Sequence, residues 1–397
     1  MLSEQDVNIV IGRDRTLFLA DLESQKSQLE AKLSGANVLV IGAAGSIGGA
    51  TSKLLSQLNP GVLHLVDINE NELADMVRKL RITGSLSDKT EFRTYVIDVN
   101  SLSFNQFCAD GRTYEFVLNR SAMKHVRSES NVYSLARMIQ TNVVATNQVI
   151  EELAKASEFK YFCVSTDKAA NPVNLMGLSK LVMENYAFAN TSGISVSSAR
   201  FANVAFSNGS LLQSFERRLQ ENKPLVIPKG IKRFFVSEAE AGIICVLSGV
   251  LAPHRSILVP SKEADLKLIS FETIVENYLK LKGYEPDFVT YTTNIPFVDP
   301  TMKQWPVLVS EVDTTGEKPY EEFVGKDDHV RTGDFRDLSL IAKDSNPPSV
   351  SFADFKDQLV GLINSTSQSK VDYVELLSDT GAAAEYVDVG KYLDDKI

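Results

Sequence analysis

The sequence predicts the α/β class, a doubly wound parallel sheet with a smaller second lobe, from three observations. Short apolar runs alternate with helical segments from residue 37 to about 205, which implies parallel βαβ units. A glycine-rich turn, GAAGSIG at 42–48, joins the first run to the first helix. Beyond about residue 206 the rhythm breaks, so the chain builds something beside the sheet before returning to it.

Residues 1–35 are polar and helix-prone, an N-terminal helical arm in which DLESQKSQLEAKL reads as a surface helix ending at Gly35. NVLVIG (37–42) is a strand and SIGGATSKLLSQL its helix; VLHLVD (62–67) and NENELADMVRKLR repeat the unit. FRTYVIDV, FVLNRS and KYFCVS are further strands of a sheet domain over 36–205. The helix EAEAGIICVLSGVLA and the strand SILVP (256–260) return to that sheet over 235–262. Residues 206–234 and 263–331 form the lobe, and 332–397 read as an α-rich appendage.

The 397 residues, 44% hydrophobic and 23% charged, are those of an ordinary globular protein. A formal net charge of -10 argues against a nucleic-acid or anionic-membrane partner, because neutralising phosphates needs a basic face. Any phosphate must be held locally by backbone amides and a few placed cations. Cys108, Cys163 and Cys245 are far apart with no zinc spacing and read as buried thiols of a reducing compartment. No secretory signal opens the chain, and AGIICVLSGVLA is too short to span a bilayer, so a cytoplasmic location without a membrane span is expected.

In GAAGSIG, Gly42, Gly45 and Gly48 let the backbone pass close to a pyrophosphate, with Ser46 and Ile47 opening the helix whose amides and dipole meet its charge. Asp67 ends the second strand 19 residues after Gly48, where a carboxylate accepts from ribose hydroxyls and repels a 2'-phosphate. This favours NAD over NADP on a Rossmann domain, against Arg78 and Lys79 on the next helix. Asp98, with Val99, either meets an adenine amino group or caps the next turn. Asn119, Ser121 and Ala122 follow the fourth strand, where the chain passes under the nicotinamide ribose; Lys124 comes next, and His125 is assigned no chemistry.

The fifth strand ends in VSTDKAANPVNLMGLSK, and active sites in such sheets lie beyond the carboxyl ends of strands. Thr166, Asp167 and Lys168 stand at that edge. Met176 and Lys180 are one helical turn apart on one face. Lys180 is thereby expected to reach the nicotinamide-ribose hydroxyls.

The GxxGxxG turn and the NPVNLMGLSK segment, which has Met176 where a tyrosine precedes Lys180 by four residues, resemble the short-chain dehydrogenase/reductases. STDKAANPVNLMGLSK, the arm IGRDR, RFANVAFSNGS (200–210) and TTGEKPYEE (314–322) narrow this. Over residues 8–331 the chain resembles the extended-type nucleotide-sugar 4,6-dehydratases of bacterial polysaccharide and glycoprotein biosynthesis. The Met-for-Tyr branch it resembles acts on UDP-N-acetylglucosamine with retention at C5, and most of its members carry N-terminal membrane helices. A relative acts on GDP-N-acetylglucosamine to start legionaminic acid synthesis.

The resemblance implies tightly held NAD, a nucleotide-sugar substrate and a homo-oligomer. It implies hydride removal from C4, loss of water across C5 and C6, and hydride return to C6, with Lys168 as C5 base and Asp167 as acid for the C6 oxygen. Methionine takes no proton, so the C4 hydroxyl proton falls to Asp167, Thr166 or a water beside Lys180. In the lobe, Asn203 matches the family's position touching substrate. Ser207, Gly209 and Ser210 lead into a helix start that either receives an anion or is simply capped by Ser210. Arg233 is the candidate diphosphate clamp, and Glu317 and Lys318 match the motif without an assigned role. The rivals are a nucleotide-sugar 4-epimerase and a non-catalytic NAD-binding protein.

Overall fold

A computed structural model describes residues 2–189, 193–290, 298–311, 318, 320–331, 333–344, 347–388 and 390. Its centre is a nine-stranded sheet. In chain order the strands are β1 (Asn37–Ile41), β2 (Val62–Asp67), β3 (Glu91–Val96), β4 (Phe116–Asn119), β5 (Lys160–Thr166), β6 (Ser195–Phe201), β7 (Ser256–Pro260), β8 (His329–Arg331) and β9 (Leu338–Ala342). Their order across the sheet is β8-β9-β7-β6-β5-β4-β1-β2-β3. β1 pairs parallel with both β2 and β4, so the chain reverses direction across the sheet at β1. The crevice of a doubly wound sheet opens beyond the strand ends at such a point.

Layering explains the sequence pattern. β1 and β4 are continuous apolar runs because helices cover both faces of the sheet. On one face, helices Ser46–Ser56, Glu70–Ile82 and Glu238–Leu251 bury Leu55, Leu73, Ile244 and Leu247 against Val38, Val40 and Leu118. On the other, Phe104, Val149, Ile150 and Met183 pack on Leu39, Ile41 and Tyr161. The helix Glu238–Leu251 is apolar nearly all round because it is buried, as its sequence required.

The lobe has its own core, with Phe215, Tyr278 and Trp305 packed around the three-stranded sheet formed by residues 225–228, 285–290 and 304–310. The N-terminal helix Glu4–Val10 contributes Val7 and Val10 to that core. Arg13 is tied to Glu240 at 2.7 Å, and Glu240 also accepts the Leu17 N–H. The arm is thereby fastened to the helix Glu238–Leu251 rather than lying loose.

Within residues 332–397 the described part holds a strand besides its two helices, where only an α-rich appendage is expected. β9 enters the main sheet antiparallel to β7, burying Leu338 and Ile341. A five-residue strand inside a polar tail gives little pattern to read. The helices that follow, Phe352–Asn364 and Lys370–Ser378, pack Phe355, Leu359, Tyr373 and Leu377 onto Leu135, Met138 and Met176. Among the described residues no helix is long and apolar enough to cross a membrane.

Candidate active site

The glycine turn is fixed by contact. Gly42 has φ +69, and a Cβ there would lie 2.8 Å from the Arg120 carbonyl carbon; a Cβ on Gly48 would lie 1.9 Å from the Gly42 oxygen. Helix Ser46–Ser56 starts at Gly45 with no side-chain cap, so its first N–H groups face the crevice. The Asp67 carboxylate spans the turn, accepting from Ala44 N–H at 2.8 Å and Asn69 N–H at 2.9 Å. Glu72 stands behind it, its carboxyl pushed up by burial and by the Asp67 charge. Arg78 is held by Asp75 on the exposed side of the same helix. Two carboxylates thus stand at the end of the second strand, and Glu72 reads in the sequence like any charge on a surface helix.

Other expected residues meet in different ways. Asp98 caps its turn, accepting from the Asn100 N–H at 2.9 Å and from Arg137 at 2.6 Å. Burial opposes its ionisation, but those bonds win and hold its pKa low. Val99 packs on the Phe104 side of the sheet. Asn119 is a buried brace that donates to Tyr161 and accepts from Ser121 N–H, setting the path of Ser121 and Ala122. Asn142, which the sequence did not single out, binds Met123 N–H and Ser179, tying that path to the helix Leu175–Ala189.

Lobe and sheet meet at the glycine turn. Asn208 N–H donates to Ser46 Oγ at 3.0 Å, and Lys124 Nζ to Ser207 Oγ at 3.2 Å. Burial lowers the Lys124 pKa. Gly209 has φ +74 and seats His125, whose Nε2 would be 2.8 Å from a Cβ there. Ile47 packs into the core beneath. Ser210 caps helix Leu211–Gln220 through Gln213 N–H, which is the plain capping reading. Asn203 donates to the Phe234 carbonyl, and Arg233 to that of Lys232.

The chemical centre is compact. Thr166 Oγ1 donates to Asp167 Oδ1 at 2.9 Å, and Lys168 Nζ reaches the same oxygen at 3.1 Å. Glu321 Oε1 stands 3.7 Å from Lys168 Nζ. Asp167 is 2% exposed and Glu321 3%, whereas the Lys168 side chain is 18% exposed. Asp167 Oδ2 is buried without a hydrogen-bond partner among the described residues. Burial pushes the Glu321 pKa up, partly offset by Lys168. Glu321 belongs to TTGEKPYEE, where the resemblance points to Glu317 and Lys318 instead. Lys318 Nζ donates to the Asn171 carbonyl, closing the segment on the turn after β5; Glu317 lies outside the described residues.

Met176 and Lys180 are both buried beneath the crevice. Lys180 Nζ is drawn into the sheet, donating to the Val164 carbonyl at 3.0 Å, and burial pushes its pKa down to about 8. In this conformation the ammonium serves the strand backbone instead of facing the crevice. Met176 is packed among Leu135, Met138 and Tyr373, while its N–H donates to Glu129 Oε1 at 2.8 Å. Burial drives Glu129 up to about 7 against the bonds from Met176 and Leu175. Gly177 is obligatory for close approach, since a Cβ would sit 2.5 Å from the Lys168 oxygen. Behind β5, Ser165 and Arg200 bind Glu184, and Arg200 also binds Asp328. Breaking such a buried pair costs about 3–5 kcal/mol.

A protein-family model described as "Polysaccharide biosynthesis protein" matches residues 38–343. The chain belongs to this family. It is 26% identical over 355 residues to the capsular polysaccharide biosynthesis protein CapD of Staphylococcus aureus, covering 86% of this chain and 55% of that protein. It is 29% identical over 243 residues to an inverting UDP-N-acetylglucosamine 4,6-dehydratase of Campylobacter jejuni, covering 59% of this chain and 69% of the other. The chain spans about half the length of the first curated relatives it matches. Its fold is shared with Pen from Bacillus thuringiensis, at TM-score 0.63 and 21% identity over 83% of this chain and 98% of that one. DesIV, a dTDP-glucose 4,6-dehydratase from Streptomyces venezuelae solved with NAD and TYD, aligns at TM-score 0.55 and 17% identity over 73% and 88%. A second Campylobacter jejuni protein of the same name is 29% identical over 240 residues, 58% of this chain and 68% of that one.

Proposed function

We propose that the protein is an NAD-dependent 4,6-dehydratase of a UDP- or GDP-linked N-acetylglucosamine, retaining configuration at C5. The observation that carries this is the Asp167–Lys168 pair at the carboxyl end of β5, 3.1 Å apart, with Asp167 buried and Lys168 partly open to the crevice. An epimerase needs only to move a hydride at C4; a base and an acid side by side suit removal of a C5 proton and a C6 hydroxyl. NAD fits the glycine turn, the uncapped helix start at Gly45 and the carboxylates of Asp67 and Glu72. Bound there, it supplies reversible storage of one hydride.

The residues then divide the proton work. Thr166 takes the C4 hydroxyl proton and passes its own to Asp167 Oδ1, to which it is already bonded. Lys168 removes the C5 proton, acidified by the C4 ketone. Asp167 gives its newly gained proton to the departing C6 hydroxyl, which leaves as water. Lys168 later returns a proton to C5. The substrate has then lost one water and nothing else.

Incubation of the NAD-loaded protein with UDP-, GDP- and dTDP-sugars, read by mass spectrometry, tests this. A sugar nucleotide lighter by one water supports the dehydratase. An isomer of unchanged mass would identify a 4-epimerase, and no turnover with NAD bound would leave a non-catalytic role.

A further inference from the structure

Lys168 stands between two buried carboxylates, a poor setting for a base. Its ammonium has Asp167 at 3.1 Å and Glu321 at 3.7 Å, so two carboxylates neighbour one positive charge. Asp167 Oδ1 already accepts from Thr166 and from Lys168. The groups that face Glu321 are Lys168, Asp167, Arg233 and Lys318, and burial is the largest influence on it, toward the neutral form. A buried ion pair that loses its remaining water becomes a neutral pair when the proton crosses. The Lys168 side chain is the most open of the three, so a sugar seated over it removes that water.

From this arrangement we propose that Glu321 is the proton partner of Lys168: when substrate closes the site, Lys168 passes its resting proton to Glu321 and works as a free amine. The balance is internal. The N–H bond of the ammonium breaks and an O–H bond forms on Glu321. Lys168 then takes the C5 proton and returns one to C5, and Glu321 hands its own back when product leaves. No oxidant, reductant or further acid is consumed. Glu321 acts through Lys168 and is a positioning residue. The inference rests on the dehydratase reading above.

The test is C5 exchange in deuterated buffer, followed by mass spectrometry across pH, with the NAD-loaded protein and whichever sugar nucleotide the wild type converts. In Glu321→Gln, Lys168 has to lose its proton to solvent, so exchange near neutral pH should fall about tenfold or more, one decade per unit of pKa difference. The deficit should shrink as pH rises toward the ordinary lysine range. Glu321→Asp should recover part of the neutral-pH rate, and it serves as the test if the Gln variant fails to hold NAD. Exchange that is unchanged or faster in Glu321→Gln overturns the proposal, since removing a charge that merely steadies an ammonium makes a better base. A loss of the same size at every pH overturns it too. Absence of conversion by the wild type with every sugar sinks the dehydratase reading itself, a result distinct from either.

Discussion

The two ends of the crevice are built by opposite means. At the glycine turn the backbone does the work: Gly42, Gly48 and Asp67 lie within one βαβ unit, and their geometry follows from close approach and positive φ. At the chemical centre side chains come from across the chain. Lys168 meets Glu321, Met176 meets Glu129 and Tyr373, and Met123 meets Asn142. A site made of backbone tolerates side-chain drift around it, while a site made of distant carboxylates depends on the whole fold being closed.

The largest effect expected is at the centre. Lys168→Ala should reduce C5 solvent exchange by about 10²–10⁴-fold, the usual worth of a placed base, with NAD content unchanged; unaltered exchange would remove Lys168 from the base role. At the other end, Gly48→Ala drives a methyl into the Gly42 oxygen, and overpacking of this kind costs about 1–3 kcal/mol or more. NAD released on denaturing the purified variant should be far below one per chain, and full retention would show that the turn can relax.

Glu129 offers a pH test of the side-chain end. Its folded pKa of about 7 lies above the ordinary 4.5, so the folded state holds the extra proton between those values. Stability from this group is therefore full below about pH 4.5 and falls as pH rises to about 7, by roughly 3 kcal/mol. Denaturant melts of Glu129→Gln should lose that slope, and an identical slope would mean that water reaches the carboxylate. The smallest change expected is from Met176→Tyr. Met176 is 3% exposed in an apolar cluster, so the larger ring should lower stability by about 1–3 kcal/mol without raising turnover. A gain in turnover would mean that position 176 faces the sugar after all.

The contrast also explains what was legible in the sequence. GAAGSIG, Asp67 and the STDK strand end announce themselves because each sits where a strand meets a helix, and local pattern reports that junction directly. Glu321 and Glu129 look like ordinary loop charges in PYEE and SES; only packing reveals that they are buried beside Lys168 and Met176. Lys180 carried the expected spacing but not the expected direction, because spacing fixes a helix face and not what an ammonium bonds to. LSLIA was too short to distinguish a strand from a tail, and its pairing with β7 depends on a partner some 80 residues earlier.

The packing of Tyr373 and Phe355 on Met176 bears on synthesis as well as on stability. A ribosome finishes the helix Leu175–Ala189 long before it reaches those aromatic residues, and contacts between such distant segments form slowly. Until they arrive, the helix that shapes the Lys168 turn has an uncovered apolar face. By then the residues of the glycine turn have long been made, while the cover over Met176 has not.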